Sequence, residues 1–363
     1  MKRVATILAP TDIGAAGTRV EDLNIRGQIS RLSLQWEFTV VTVSVMTGNI
    51  LSCLSKIEVV DGSEVLFSAS GEALAGINFY ETGKPAFAKG GLTVGNVMRA
   101  HASINFGRWL WDGEFGLRTD MYRNPQIRIT FDEDAANGSV VVNSLGIVAY
   151  VDDNPPNGGA NGFLLTKEAA QHAMAASTHD YTDLPIDYPH RAVFVRPYSA
   201  DHDPRTLVDN LKLDGNNSGV VPIDIATDIL IDAVMSDYGP ITESWIADGA
   251  LTAKTVYANT SQNNIALLGH DDTAVTAAGE IQASSWTGEI LSLTTGVAIT
   301  TDWLCLIGYI PHYVVPVFFG EKMDPDSWLD PSGLNDLRAD TLMSSDADSG
   351  DTLTVLTQQW KRY

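Results

Sequence analysis

The chain has 363 residues, 44% of them hydrophobic, enough to bury the cores of two ordinary domains. Lys and Arg number 23 against 45 Asp and Glu, a net charge of −22, and that field repels phosphate backbones, which excludes tight nucleic-acid binding over a broad surface. With only two cysteines, Cys53 and Cys305, no disulfide scaffold is available; one bridge is allowed, but the apolar surroundings of both favour buried thiols.

The opening "MKRVATILAPTDIGAAGT" does not read as a secretory signal, because Pro10 and Asp12 interrupt its short apolar run. Residues 1–20 read as a loose arm. From there a period of two takes over, and "RLSLQWEFTVVTVSV" (31–45) predicts a long strand or a bent pair. "SKIEVVDGSEVLFSASGEALAGINFYETGKP" (55–85) predicts a strand, a turn, a strand and a helix near 71–80 that puts Ala73, Ile77 and Tyr80 on one face. "GLTVGNVMRAHASINFG" (91–107) predicts one or two strands, and 124–153 two more around an acidic Asn-Gly turn. "DDNPPNGGANG" (152–162) reads as a linker, and "KEAAQHAMAA" behind Thr166 as a short helix over 167–176. "DLPIDYPHRAVFVRPYS" (183–199) reads as an extended connection into a new strand. "WLCLIGYIPHYVVPVFFG" (303–320), broken by prolines, reads as two buried strands rather than a membrane span, which needs ~20 apolar residues.

The second half repeats the first. "DNLKLDGNNSGVVPIDIATDILIDAVMSDYGP" (209–240) again runs from a strand through Asp-Gly to a second strand, a helical pattern and a Tyr-Gly-Pro stop. Gly83 and Gly239 stand 156 residues apart, and "INFG" (104–107) matches "VFFG" (317–320) at an offset of 213. The acidic turns at 131–142 and 344–356 match at an offset near 212. The second half therefore carries about 55 extra residues between Tyr238 and Phe318, in a Thr/Ala/Ser-rich stretch (243–291) that reads as a β-rich loop or subdomain. The predicted fold class is all-β: two consecutive eight-stranded jelly-roll sandwiches with short helices in loops. The expected organisation is an arm at 1–20, a first roll at 21–153, a linker with a helix at 154–190, and a second roll at 191–363 with an insertion at about 241–300.

Three stretches resemble double jelly-roll major capsid proteins, the lineage of adenovirus hexon, large DNA viruses and tailless, membrane-containing microbial viruses, bacteriophages among them. They are 57–83, the aromatic segment "INFGRWLWDGEFGLRTDMYRNPQIRITF" (104–131), and "LDPSGLNDLRADTL" (329–342). In the last, Asn335, Arg338 and Asp340 keep the family spacing, with Gly333 one residue closer than usual. The resemblance implies a structural protein without enzymatic activity or cofactor, found in the virion shell and made in the host cytoplasm. Its partners would be itself as a pseudo-hexagonal homotrimer, neighbouring capsomers, vertex (penton) and minor capsid proteins, and a viral lipid membrane, with no direct nucleic-acid contact. Lys2, Arg3, Lys361 and Arg362 at the chain ends are candidate contacts to anionic lipid.

Other readings compete. Asp112, Glu114 and Asp120, with Trp109 and Trp111 nearby, are the residue types of a glycosidase or carbohydrate-binding site. "DHD" (201–203), "GHDD" (269–272) and "SDADSGD" (345–351) contain metal-ligand types without a second spaced set, so no metal is expected. A receptor-binding spike is a third reading, without the fibrous repeats that such proteins use.

Overall fold

The computed structural model describes residues 1–41, 50–89, 95–136, 140–270 and 284–363. The first half contains β1 (Lys2–Thr11), β2 (Ala16–Asp22), β3 (Gln28–Val40), β4 (Lys56–Asp61), β5 (Glu64–Ala69), α1 (Gly71–Thr82), β6 (Phe87–Lys89), β7 (Val97–Asn105), β8 (Leu117–Arg118), β9 (Pro125–Asp132) and β10 (Val140–Asp152). The second contains β11 (Gly162–Ala173), β12 (His179–Asp183), β13 (His190–Tyr198), α2 (Pro204–Leu207), β14 (Val208–Gly215), β15 (Val220–Ala226) and α3 (Thr227–Tyr238). It continues through β16 (Ile241–Tyr257), β17 (Thr260–His270), β18 (Ser284–Thr287) and β19 (Ile290–Pro311) to β20 (Val315–Phe318), β21 (Leu337–Met343) and β22 (Thr352–Arg362).

The sheets give the topology. The first half pairs β1-β10-β3-β7 in one sheet and β2-β9-β4-β5 in the other; the second pairs β11-β22-β13-β20 and β12-β21-β14-β15. Counted along the chain, both halves are 1-8-3-6 over 2-7-4-5, so each is a jelly roll. One parallel contact, Phe67 to Thr166, joins β5 to β11 and fuses a sheet of each roll into one of eight strands.

The alternation of residues explains the packing. Leu32, Leu34, Trp36 and Phe38 of β3 point into the first roll and are buried, while the residues between them are partly exposed. The two long helices, α1 and α3, each follow the fifth strand of their roll. Ser70 caps α1 by accepting from the Ala73 N–H, and α1 and α3 end on glycines at positive φ, Gly83 at 69° and Gly239 at 65°. The insertion of the second roll follows α3. It is a separate sheet, β16-β19-β17 with β18 on β19, whose strands reach Pro311.

Three expectations need correction. Residues 1–20 are no loose arm: β1 pairs with β10 and β2 with β9. Both are half-exposed edge strands, so the core-facing alternation that marks central strands is weak in them. The helix expected at 167–176 is strand: β11 runs to Ala173 and pairs with β22 along its length. Ala, Glu, Lys and Gln favour a helix by fractions of a kcal/mol each, and ladder pairing beside a buried core outweighs that. The linker expected over 154–190 therefore holds β11 and β12, the first two strands of the second roll. The end of the strand expected at 31–45, the start of 91–107, the Asn137-Gly138 turn, Asp271 and Asp272, and part of 243–291 lie outside the described residues.

Candidate functional site

The aromatic segment is built around a buried guanidinium. Arg108 Nε lies 2.8 Å from Asp112 Oδ2 and its Nη2 3.1 Å from Oδ1, both side chains almost fully enclosed. Glu114 also takes Arg108 Nη2 at 2.6 Å, and Nη1 donates to the Met323 carbonyl of the second roll. The guanidinium sits 4.5 Å from the Trp109 ring centroid and 4.4 Å from that of Phe115. Asp120 is held by Arg118 at 2.9 Å. The three carboxylates of the glycosidase reading are thus each committed to an arginine, and Asp112 is sealed from substrate.

The metal-ligand types have structural duties as well. Asp203 caps α2 through the Arg205 and Thr206 N–H groups. Asp348 and Asp351 close the β21–β22 hairpin, accepting from the Gly350 and Asp348 N–H groups. Among the described residues, no three His, Cys, Asp or Glu side chains converge as a metal site requires.

Of the family-like turn, the Asn335 N–H donates to Asn216 Oδ1 at 2.7 Å, and Asp336 Oδ1 accepts from the Asn216 N–H. The Arg338 guanidinium lies 4.9 Å from the Tyr181 ring and Asp340 is 2.6 Å from His179 Nδ1. Nothing lies within 4 Å of where a Gly333 Cβ would be. The turn locks the β14–β15 hairpin.

The chain ends meet at one end of the molecule. Lys2 pairs with Asp152 in register and Gly162 with Arg362, on either side of a short connection. Arg3 is 2.8 Å from Asp153 and Lys361 is ion-paired with Glu64. Lys2 lies 5.6 Å over the Trp111 ring and Arg362 4.0 Å over that of Trp360.

A buried polar network lies between the rolls, where every residue of α1 from Gly71 to Tyr80 except the half-buried Glu72 is buried. One side of it faces its own roll: Asn78 donates to the Ser103 carbonyl and accepts from the Ser103 N–H. The other lies across the outer face of β13 and β22. There Glu72 pairs with Arg196 at one end of α1, and Glu81 takes Gln358 at 2.8 Å and approaches Arg191 to 4.0 Å at the other. Burial raises the pKa of both glutamates, against the pull of their arginines. The Tyr80 hydroxyl donates to the Val314 carbonyl at 2.7 Å, and Lys322 Nζ to the Tyr80 carbonyl at 3.1 Å. Burial and the charge of Arg191 depress the Lys322 pKa to about 8.

The second roll meets α1 with a strained bend. Ile310, His312 and Tyr313 all have φ between 51° and 62°. Arg196 Nε on the His312 carbonyl at 3.0 Å and the Tyr313 hydroxyl on the Ser199 carbonyl at 2.8 Å hold it. Sequence reasoning found none of Glu72, Glu81, Arg191 and Arg196. The one local signal was Gly76 inside an otherwise strong helix, where a Cβ would stand 2.5 Å from Val314 Cγ2.

No protein-family model matches the chain. No curated protein matches it in sequence. Solved structures do match. The STIV MCP shares 10% identity at a TM-score of 0.62, over 99% of this chain and 96% of that one. The major capsid protein P2 from Bacteriophage PM2 shares 13% at 0.53, over 99% and 98%. The PBCV-1 virus capsid shares 9% at 0.52, over 99% and 94%. At such identities the likeness is one of fold, end to end: this chain is a double jelly roll of the kind found in viral major capsid proteins.

Proposed function

We propose that this chain is the structural major capsid protein of an icosahedral virus, assembling as homotrimers whose six jelly rolls make a pseudo-hexagonal block. The observation that carries this reading is the doubled roll: two units of identical strand order, joined side by side, which together with the inserted sheet β16–β19 account for the described strands apart from the short β6 and β8. A trimer of such chains tiles a hexagonal lattice with one gene product. The large buried network between the rolls supports a rigid building block, and Arg108 with its carboxylates supports a structural rather than catalytic use of the acidic segment. The boundary between the units falls in the connection 153–161, between β10 and β11.

In this reading the chain resides in the virion shell, and its partners are other trimers together with vertex (penton) and minor capsid proteins. The end of the molecule where both termini lie faces inward, toward a lipid membrane. Arg3 and Lys361 already hold carboxylates there, so Lys2 and Arg362 supply the lipid contact, at about 1 kcal/mol each. Flotation of the purified protein with vesicles containing anionic lipid tests this; binding unchanged in Lys2→Ala/Arg362→Ala would refute it. Light scattering tests the central reading: a mass of three 39.1-kDa chains supports it, and a monomer at all concentrations contradicts it.

A further inference from the structure

The chain contains one complete junction between a second roll and the first roll before it, and the two unmatched halves of another. In the complete one, the fifth strand of the first roll (β5) abuts the first strand of the second (β11), and α1 covers the outer face of β13 and β22. On β13, Ala192, Phe194 and Arg196 of that outer face are all buried. The repeat supplies the counterparts. The strand register equates β3 with β13 at an offset of 161, so Arg31, Ser33 and Gln35 stand where Ala192, Phe194 and Arg196 do, and all three are partly exposed. The counterpart of α1 is α3, which buries only Thr227, Leu230, Ile231 and Val234 and leaves Ile229 58% exposed. The counterpart of β5 is β15, an edge strand with Val220 and Val221 exposed; that of β11 is β1, an edge strand with Val4 exposed.

We propose that α3 and the β15 edge of one copy dock on the outer face of β3 and β10, the counterparts of β13 and β22, and on the β1 edge of the next copy, repeating between chains the junction that α1 makes within one. This rests on the trimer reading and names its surfaces. The contact is head-to-tail, and three copies close the ring. Charge fits it. The free face of α3 carries Asp228 and Asp232, and beside the receiving face the neighbouring strand β7 carries Arg99 and His101; Asp232 now holds Arg205 at 2.5 Å and Arg99 holds Glu37 at 2.7 Å, in exposed pairs that can exchange partners. A cleft of about 330 Å³ between α3 and β20, lined by Leu230, Val234 and Phe318, lies open beside it. Pro222 in β15 and Pro10 in β1 preclude an extended ladder, so the strand contact is as brief as the single Phe67–Thr166 contact inside the chain. One difference is built in. Gly76, the point of closest approach in α1, corresponds at the 156 offset to Asp232, and Val314, which Gly76 meets, corresponds at the 213 offset to His101. The junction between chains is therefore polar where the internal one is tight.

The test is the variant Asp232→Cys/His101→Cys in the full chain, oxidised and run on a denaturing gel beside each single variant. The double variant should give covalent species of two and three chains, and the singles none. A trimer by light scattering with no such cross-link would overturn the proposed surfaces and leave the trimer standing; a monomer would overturn both. Ile229→Asp is the second variant. It should weaken trimer association at least about tenfold without changing the melting temperature of the monomer, because Ile229 is exposed there. Unchanged association would also refute the proposal.

Discussion

Replacing Gly76 with alanine sets two effects of opposite sign against each other. Gly76 is the sixth residue of the twelve in α1, and in a helix interior alanine is better than glycine by about 1 kcal/mol. Propensity alone therefore predicts stabilisation. The added methyl, however, would stand 2.5 Å from Val314 Cγ2 and 2.8 Å from the Pro311 carbonyl oxygen. Val314 can turn its side chain only within a packed core, and the Pro311 oxygen moves only with the strained bend at 310–313. Overpacking of this kind costs about 1–3 kcal/mol, more where backbone must shift. The Tyr80 and Lys322 contacts share the junction, so the rolls cannot part locally without loosening them. The expected net effect is a loss of about 1–2 kcal/mol, which lowers the melting temperature by a few degrees in a chain of this size. Scanning calorimetry of Gly76→Ala beside wild type reads it, with Gly333→Ala, where nothing lies within 4 Å, as the control. A higher melting temperature for Gly76→Ala would refute the close approach of the two rolls.

Three further outcomes follow from the same contacts. Asp112→Ala leaves the Arg108 guanidinium buried without its main partner and should cost about 3 kcal/mol or more, while Arg108→Met/Asp112→Leu should recover much of that in thermal melts. Tyr80→Phe strands the Val314 carbonyl and should cost about 1–2 kcal/mol in the same assay. Lys322 binds its proton less tightly folded than unfolded, so the unfolded state holds more protons between pH 8 and the ordinary lysine pKa, and stability from this residue rises with pH across that window. Partial exposure limits the gain to about 1 kcal/mol, so the melting temperature of wild type relative to Lys322→Met should rise by roughly 1–2 °C from pH 7.5 to pH 10, and a gap independent of pH would contradict it.

What the sequence disclosed follows from what is local. Gly83 and Gly239 both end helices at positive φ, which favours glycine over other residues, so their spacing betrayed the repeat without any alignment. The central strands alternate cleanly because one face meets the core, as Leu32 to Phe38 do. The edge strands β1 and β2 and the Ala-rich β11 are illegible in the sequence for the opposite reason: partners more than a hundred residues away decide their state, through β9, β10 and β22. The ion pairs of the junction were beyond sequence reasoning altogether. Arg196 and Glu72 lie 124 residues apart, and only the docking of one roll on the other brings them together.

The most direct measurement is negative-stain imaging of the purified, unassembled protein, sorted into end-on views. The account predicts a block with a hexagonal outline, six lobes and threefold symmetry, in which alternate lobes differ by the sheet of β16–β19. Single two-lobed particles, or elongated assemblies without a closed ring, would contradict it.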